Sequence, residues 1–279
     1  MDDLVNILKG NIAIAIGAIA LLGAIGWWLF AALGGPVMDK QTARAFPLVE
    51  KTVLTENTRL FRFSVGAGKK LGLPIGRHVR LIAPAGPSKA EIFRSYTPVS
   101  SADVVGHFDL LIKIYPAPGG AMGRYLDSLE IGQTIDMKGP FGLFEYQVGK
   151  FKELGMLAGG TGITPMYQVI NAILDNPKDT TRVKLIFANV KDTDILMRSR
   201  LEELAKNFPE QFSVYFVLNE PPPGWEGGSG FISEAHIKEH VGLPEAAKQV
   251  LLCGPQPMNR AMRVNLTNIG YDKSEIFAF

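Results

Sequence analysis

Two short runs hold residue types that could do chemistry together. Arg94-Ser-Tyr-Thr-Pro-Val-Ser100 puts a guanidinium, an aromatic ring and hydroxyls on one extended stretch. Gly159-Gly-Thr-Gly-Ile-Thr-Pro-Met166 is a glycine turn that follows an apolar run. An arginine fork matches phosphate oxygens. Tyr96 shares a strand face with Arg94 by parity, and Thr97 and Ser100 can hydrogen-bond. The first run therefore suits a flavin. Strand, glycine turn and helix in sequence suit a dinucleotide. Each run alone also fits an ordinary strand ending at a proline, or an ordinary glycine loop. Their order suggests electrons moving from a nicotinamide to a flavin.

Three further segments extend the pattern. Gly119-Gly-Ala-Met-Gly123 precedes a helix expected from near Arg124, where free N–H groups could hold phosphate. A plain loop is the alternative. Cys253-Gly-Pro-Gln-Pro-Met258 ends an apolar run and opens a helix, so Cys253 sits where a nicotinamide could lie. A buried inert thiol is the alternative. The last residue, Phe279, could stack on a ring or simply fill a core. One cysteine excludes an intrachain disulfide, and four scattered histidines give no metal site.

Two kinds of element must position these groups. Between 45 and 150 the apolar residues alternate, as in Phe61, Phe63 and Val65 or Phe108, Leu110, Ile112 and Ile114. Such runs, cut by glycine and proline, read as antiparallel strands of a barrel or sandwich with one helix near 120–130. After 150, apolar runs at Leu154–Ala158, Val183–Ala188, Val214–Leu218 and Val250–Cys253 alternate with helical patterns. That rhythm predicts a parallel sheet with helices on both faces. Thr164 is expected to cap the helix after the glycine turn, with Pro165 at its first position.

The charge is nearly balanced, 29 Lys+Arg against 27 Asp+Glu, which argues against nucleic acid as the main partner. Residues 39–150 hold 15 Lys+Arg and 10 Asp+Glu. A basic half of this kind suits an acidic partner or an anionic membrane surface, or is just a solvated face. From Gly10 to Met38 no residue is charged, a run of 29 positions with Trp27-Trp28 near its far end. About 20 apolar residues span a bilayer, and paired tryptophans suit its headgroup region. A transmembrane anchor over 1–35 is expected, then a linker over 36–44. The competing signal peptide would need a positive start, and Asp2 and Asp3 stand there. Lys40, Arg44 and Lys51 follow the span, which places the remainder in the cytosol.

Taken together, Arg94-x-Tyr-Thr-Pro, Lys113 in Ile-Lys-Ile-Tyr, Gly-Gly-Thr-Gly-Ile-Thr-Pro-Met and Cys-Gly-Pro-x-Pro-Met occur in the order of the ferredoxin-reductase-like flavoenzymes. Over about 45–279 the chain resembles the NADH-cytochrome b5 reductases, and with its anchor it looks most like the fungal ones. Leu71-Gly-Leu-Pro-Ile-Gly-x-His-Val79 and Phe187-Ala-Asn189…Asp194-Ile-Leu196 fit as well. The resemblance implies an FAD-binding β-barrel over 45–150 and an NAD-binding α/β domain over 151–279. It implies that Arg94, Tyr96, Thr97, Pro98 and Ser100 hold FAD, with Ile112, Lys113 and Tyr115 on the next strand. Gly119, Gly120, Ala121, Met122 and Gly123 would lie at its pyrophosphate.

On the other side, Thr161 and Thr164 would approach the flavin and nicotinamide, Cys253 would border the hydride path, and Gly159, Gly160, Gly162, Pro165, Gly254, Pro255 and Met258 would complete the cofactor-binding set. Phe279 would lie near the flavin. Thr161, Cys253 and Lys113 are implied as the catalytic set, with Lys113 helping to bind NADH. The implied acceptors are cytochrome b5 and the small iron protein of diphthamide synthesis. The implied state is a monomer on the endoplasmic reticulum or the outer mitochondrial membrane. Two positions depart from the pattern. Gly123 stands where serine is common. Asn219, followed by Glu220, stands where relatives carry an aspartate that repels the extra phosphate of NADPH. A reductase for an oxygenase or desaturase, and a flavin-binding scaffold without turnover, are the alternative readings.

Overall fold

The computed structural model describes residues 37–84 and 91–279. The expected anchor over 1–35 lies outside the described residues. Among the described residues, no helix is long and apolar enough to cross a membrane. The end of the expected linker is built into the fold. Met38 is buried, Asp39 accepts from the N–H groups of Gln41 and Thr42 at 2.7 and 2.6 Å, and Gly139 N–H donates to Asp39 O at 3.0 Å.

The first half is antiparallel. Its elements are β1 (Arg44–Thr55), β2 (Thr58–Ser64), β3 (His78–Pro84), β4 (Glu91–Tyr96), β5 (His107–Lys113), helix α1 (Ala121–Ser128) and β6 (Thr134–Phe141). The strand order is β4-β3-β6-β1-β2-β5. The chain leaving β4 returns to the far edge: Val99 N–H donates to Asp109 O at 2.9 Å, and Ser100 Oγ accepts from Asp109 N–H at 3.0 Å. Thus the sheet closes on itself. Period-two patterning sends Phe61, Phe63, Val79, Leu81, Phe108 and Leu110 inward. Phe108 meets Phe46 and Phe63 with ring centroids 5.7 Å apart in each case. Each such ring contributes about 1.5–3 kcal/mol by burial.

The second half is a parallel sheet. It holds β7 (Glu153–Gly159), α2 (Ile163–Leu174), β8 (Arg182–Asn189), α3 (Arg198–Asn207), β9 (Phe212–Leu218), β10 (Gly228–Ser229), α4 (Glu234–His240), β11 (Lys248–Cys253), α5 (Gln256–Asn268) and β12 (Ile276–Ala278). The order is β10-β9-β8-β7-β11-β12, with every pair parallel. Its strands are continuous apolar runs because helices cover both faces. Apolar residues of α2 and α3 pack on one face, and those of α4 and α5 on the other. The order reverses between β7 and β11, and ligands of open α/β sheets bind at such a switch point, beyond the carboxyl ends of the strands.

One strand serves both halves. In β5, Phe108 to Ile112 are all buried, although the sequence alternates. Phe108 and Leu110 fill the barrel. Leu111, on the opposite face, joins the core of the second half together with Phe144.

Candidate active site

The walls of one cleft come from both halves. Its volume is about 810 Å³. The barrel contributes His78 from β3, Arg94, Ser95 and Tyr96 from β4, Thr97 beyond it, and Ile112 and Lys113 from β5. Tyr115, Gly120, Met122 and Gly123 continue that wall. Facing them are Gly159 to Gly162, Thr164 and Pro165 at the end of β7, Cys253 to Pro255 at the end of β11, and Phe279.

The barrel wall offers phosphate donors at Arg94 and at the start of α1. Arg94 forms no ion pair among the described residues, and its guanidinium donates to Phe93 O at 2.7 Å. The first turn of α1 is bare. Its N-cap, Gly120, has φ +60°, and no side chain caps the helix. The helix begins at Ala121 rather than near Arg124 as the sequence suggests, so the N–H groups of Ala121, Met122 and Gly123 form the open first turn. A Cβ on Gly120 would lie 2.7 Å from Tyr115 Cβ and 2.8 Å from Tyr115 O, so the tight turn needs glycine. Bare helical N–H groups beside an unpaired guanidinium fit a pyrophosphate. Burial pushes the Tyr96 hydroxyl up to about 12, so it stays a neutral donor.

Across the cleft, β7 runs through Gly159 into a single 3₁₀ turn, Gly160–Gly162. That turn moves the start of α2 to Ile163 and corrects the expected cap. Thr164 lies inside the first helical turn, where its hydroxyl donates to Thr161 O at 3.2 Å. Pro165 sits at the third helical position, where its missing N–H still costs no intrahelical bond. These glycines also let backbones meet. A Cβ on Gly162 would overlap the Cys253 carbonyl, and one on Gly159 would overlap Met258 Sδ. Met258 therefore packs behind the loops instead of lining the cleft.

Pro98, Ser100, Gly119 and Ala121 also fall outside the cleft lining. Ser100 is used in closing the barrel, and it borders, with Pro98, a separate cavity of about 220 Å³ beside α2. Burial raises the Cys253 thiol to about 11, so it stays protonated at neutral pH. Phe279 is held by its N–H to Leu252 O at 3.0 Å and by ring contacts to Phe144 and Phe277.

His78 is a further cleft residue that no chemistry-bearing motif of the sequence marks. Its strand parity was legible, because Val79, Leu81 and Ala83 are buried in the barrel and His78 must face outward. What lies outside that face is the cleft. Burial, then the nearby Arg80 and Arg77, lower its pKa, which leaves a neutral imidazole. Among the described residues no cluster of His, Cys, Asp or Glu could hold a metal. The described cleft thus supplies surfaces, donors and an imidazole, and the redox chemistry must come from bound cofactors.

Residues 45–146 match the oxidoreductase FAD-binding domain family, and 156–264 match the oxidoreductase NAD-binding domain family. NADH-cytochrome b5 reductase 1 of Dictyostelium discoideum is 49% identical over 243 residues, 87% of this chain and 83% of that protein. The chain belongs to the NADH-cytochrome b5 reductase family. The Aspergillus terreus NADH-cytochrome b5 reductase 1 is 43% identical over 98% of this chain and 93% of its own length. The cytochrome b5 reductase domain of Ulva prolifera nitrate reductase superposes with a TM-score of 0.84 at 36% identity, over 88% of this chain and all of that domain. This reductase is an FAD-dependent oxidoreductase with FAD and NADH as cofactors.

Proposed function

We propose that this reductase is a membrane-anchored NADH:cytochrome b5 oxidoreductase acting as a monomer. The observation that carries the proposal is the single cleft. Phosphate donors on the barrel face the switch-point loops of the parallel sheet, and one chain supplies both walls. Bound between these walls, FAD would supply the hydride-accepting and one-electron chemistry that no side chain here provides.

The chain's own residues bind, orient and exclude water. Arg94 and the first turn of α1 would hold the flavin's phosphates, and Tyr96, Thr97 and Ile112 would face the rest of that cofactor. Gly159–Gly162, Cys253–Pro255 and, from the barrel, Lys113 would bind and orient the nicotinamide dinucleotide. Thr161 and Cys253 border the transfer path, where a protonated thiol orients and does not attack. A ring nitrogen of His78 can hold a proton at the cleft wall. Phe279 closes the site from the C-terminus. Positioning of this kind is worth several orders of magnitude in rate.

The uncharged run from Gly10 to Met38 supports an anchor in the endoplasmic reticulum or outer mitochondrial membrane, with the catalytic part in the cytosol. Confinement with an acceptor in the same membrane raises their effective concentration. The basic 39–150 half supports an acidic acceptor. The iron protein of diphthamide synthesis as a second acceptor rests on the resemblance to fungal enzymes. Turnover of NADH and NADPH with cytochrome b5 as acceptor tests the proposal. NADH should be strongly preferred, and a protein that oxidises NADH without reducing cytochrome b5 would refute the acceptor.

A further inference from the structure

Lys113 does not hang free in the cleft. Its ammonium donates to Asp194 Oδ1 at 3.0 Å, and both side chains are about four-fifths buried (20% and 23% exposed). The pair crosses from β5 of the barrel to the turn after β8. Lys113 lines the cleft, whereas Asp194 stands just outside its lining.

Asp194 is the fixed member of the pair. Its other oxygen, Oδ2, accepts from Lys191 N–H at 3.3 Å, and its own N–H donates to Lys191 O at 3.1 Å, closing the turn. The turn is braced in addition by β9. Asn219 N–H donates to Asn189 O at 3.1 Å, Glu220 N–H to Val190 O at 2.8 Å, and Lys191 pairs with Glu220 at 3.6 Å. Lys113, in contrast, is an ammonium on a flexible four-carbon stem with three donors. A rigid carboxylate that takes one donor orients the other two.

We infer that Asp194 is a positioning residue for the nicotinamide substrate, aiming the Lys113 ammonium across the cleft. The inference rests on the reading of this cleft as the NADH site. Charge alone would work the other way. A carboxylate beside the ammonium weakens its pull on an anionic dinucleotide, so a purely electrostatic Asp194 would raise KM and its removal would lower it. Orientation predicts the opposite sign, because Lys113 must then be ordered when NADH binds.

The test uses the full chain with FAD bound, NADH as donor and ferricyanide as acceptor. Asp194→Asn should raise KM for NADH by about three- to tenfold, the size of one oriented and partly exposed charged bond. Its kcat should change less, and FAD content should match the wild type. Asp194→Glu should recover part of the loss. In a Lys113→Met background, Asp194→Asn should add nothing further. A merely structural turn would instead lower the melting temperature and add its effect whatever residue stands at 113. An unchanged or lowered KM in Asp194→Asn overturns the inference. Failure of the wild type to oxidise NADH would refute the reading of the cleft itself.

Discussion

Replacing Gly162 by alanine should separate the two jobs of the cleft. Gly162 has an ordinary right-handed φ of −63°, so alanine meets no backbone strain. The conflict is steric. A Cβ there would overlap the Cys253 carbonyl oxygen, lie 2.5 Å from its carbon and 3.0 Å from Gly254 N. Carbon atoms in contact sit about 3.5–4.0 Å apart. The loop after β11 must therefore retreat by roughly 1 Å, and because these are backbone atoms no side chain can swing away instead. A misplacement of about 1 Å can cost ~10²-fold in rate. The barrel wall does not contain this contact, so FAD should remain bound. Stopped-flow absorbance of the flavin after mixing with NADH reads the effect directly, and flavin content of the purified protein reads the control. Gly160→Ala offers a contrast: its Cβ has open space but its φ is +54°, so about 1–2 kcal/mol of stability should be lost with no intrusion on Cys253. Flavin reduction in Gly162→Ala within about threefold of the wild type, far short of the loss expected from misplacement, would refute the packed-loop account.

Other outcomes follow from the same geometry. Lys113→Ala should lower kcat/KM for NADH by about 10- to 100-fold, the range of a charged hydrogen bond, while FAD content stays near wild type. Equal loss of both would remove Lys113 from the dinucleotide side. For His78, the folded pKa lies below the ordinary value of 6.5, so the unfolded chain takes up the proton first on acidification. Stability should fall as pH drops through 6.5 toward the folded pKa, and His78→Gln should flatten that part of the curve in urea titrations. An identical slope in both proteins would contradict this environment. Cys253, raised to about 11, should resist alkylation by iodoacetamide at pH 8 and react readily only in strong alkali or after unfolding. Fast labelling of the native protein at pH 8 would contradict its burial.

Alternation and glycine punctuation were enough to separate an antiparallel half from a parallel one, because both signals are local. The strand runs at 154–158, 183–188, 214–218 and 250–253 all lie within parallel strands. Residues whose role depends on what they meet were less legible. Ser100 has the chemistry of a cofactor ligand, but from the loop after β4 its hydroxyl accepts from Asp109 N–H, nine residues on in β5. Met258 lies in a motif with Cys253 and yet fills the space that two glycines leave behind the loops. The 3₁₀ turn after β7 starts the helix at Ile163, ahead of the start that a Thr164 cap and Pro165 mark in the sequence. Asp194 sits 81 positions from Lys113, so no spacing rule could pair them.

The doubly buried strand β5 has a thermodynamic consequence. Leu111 and Phe144 belong by sequence to the flavin half, but they are buried in the apolar core of the nicotinamide half, where Leu60, Ile75 and Val99 also pack. Residues 38–279 accordingly form one compact unit. The boundary near 150 divides labour between two cofactors and does not divide cohesion. Cutting the chain there would strip cover from β5, so a liberated barrel would be sticky and the pair should melt as one. Two cofactor sites that must meet within a fixed gap are thereby built on a single folding transition.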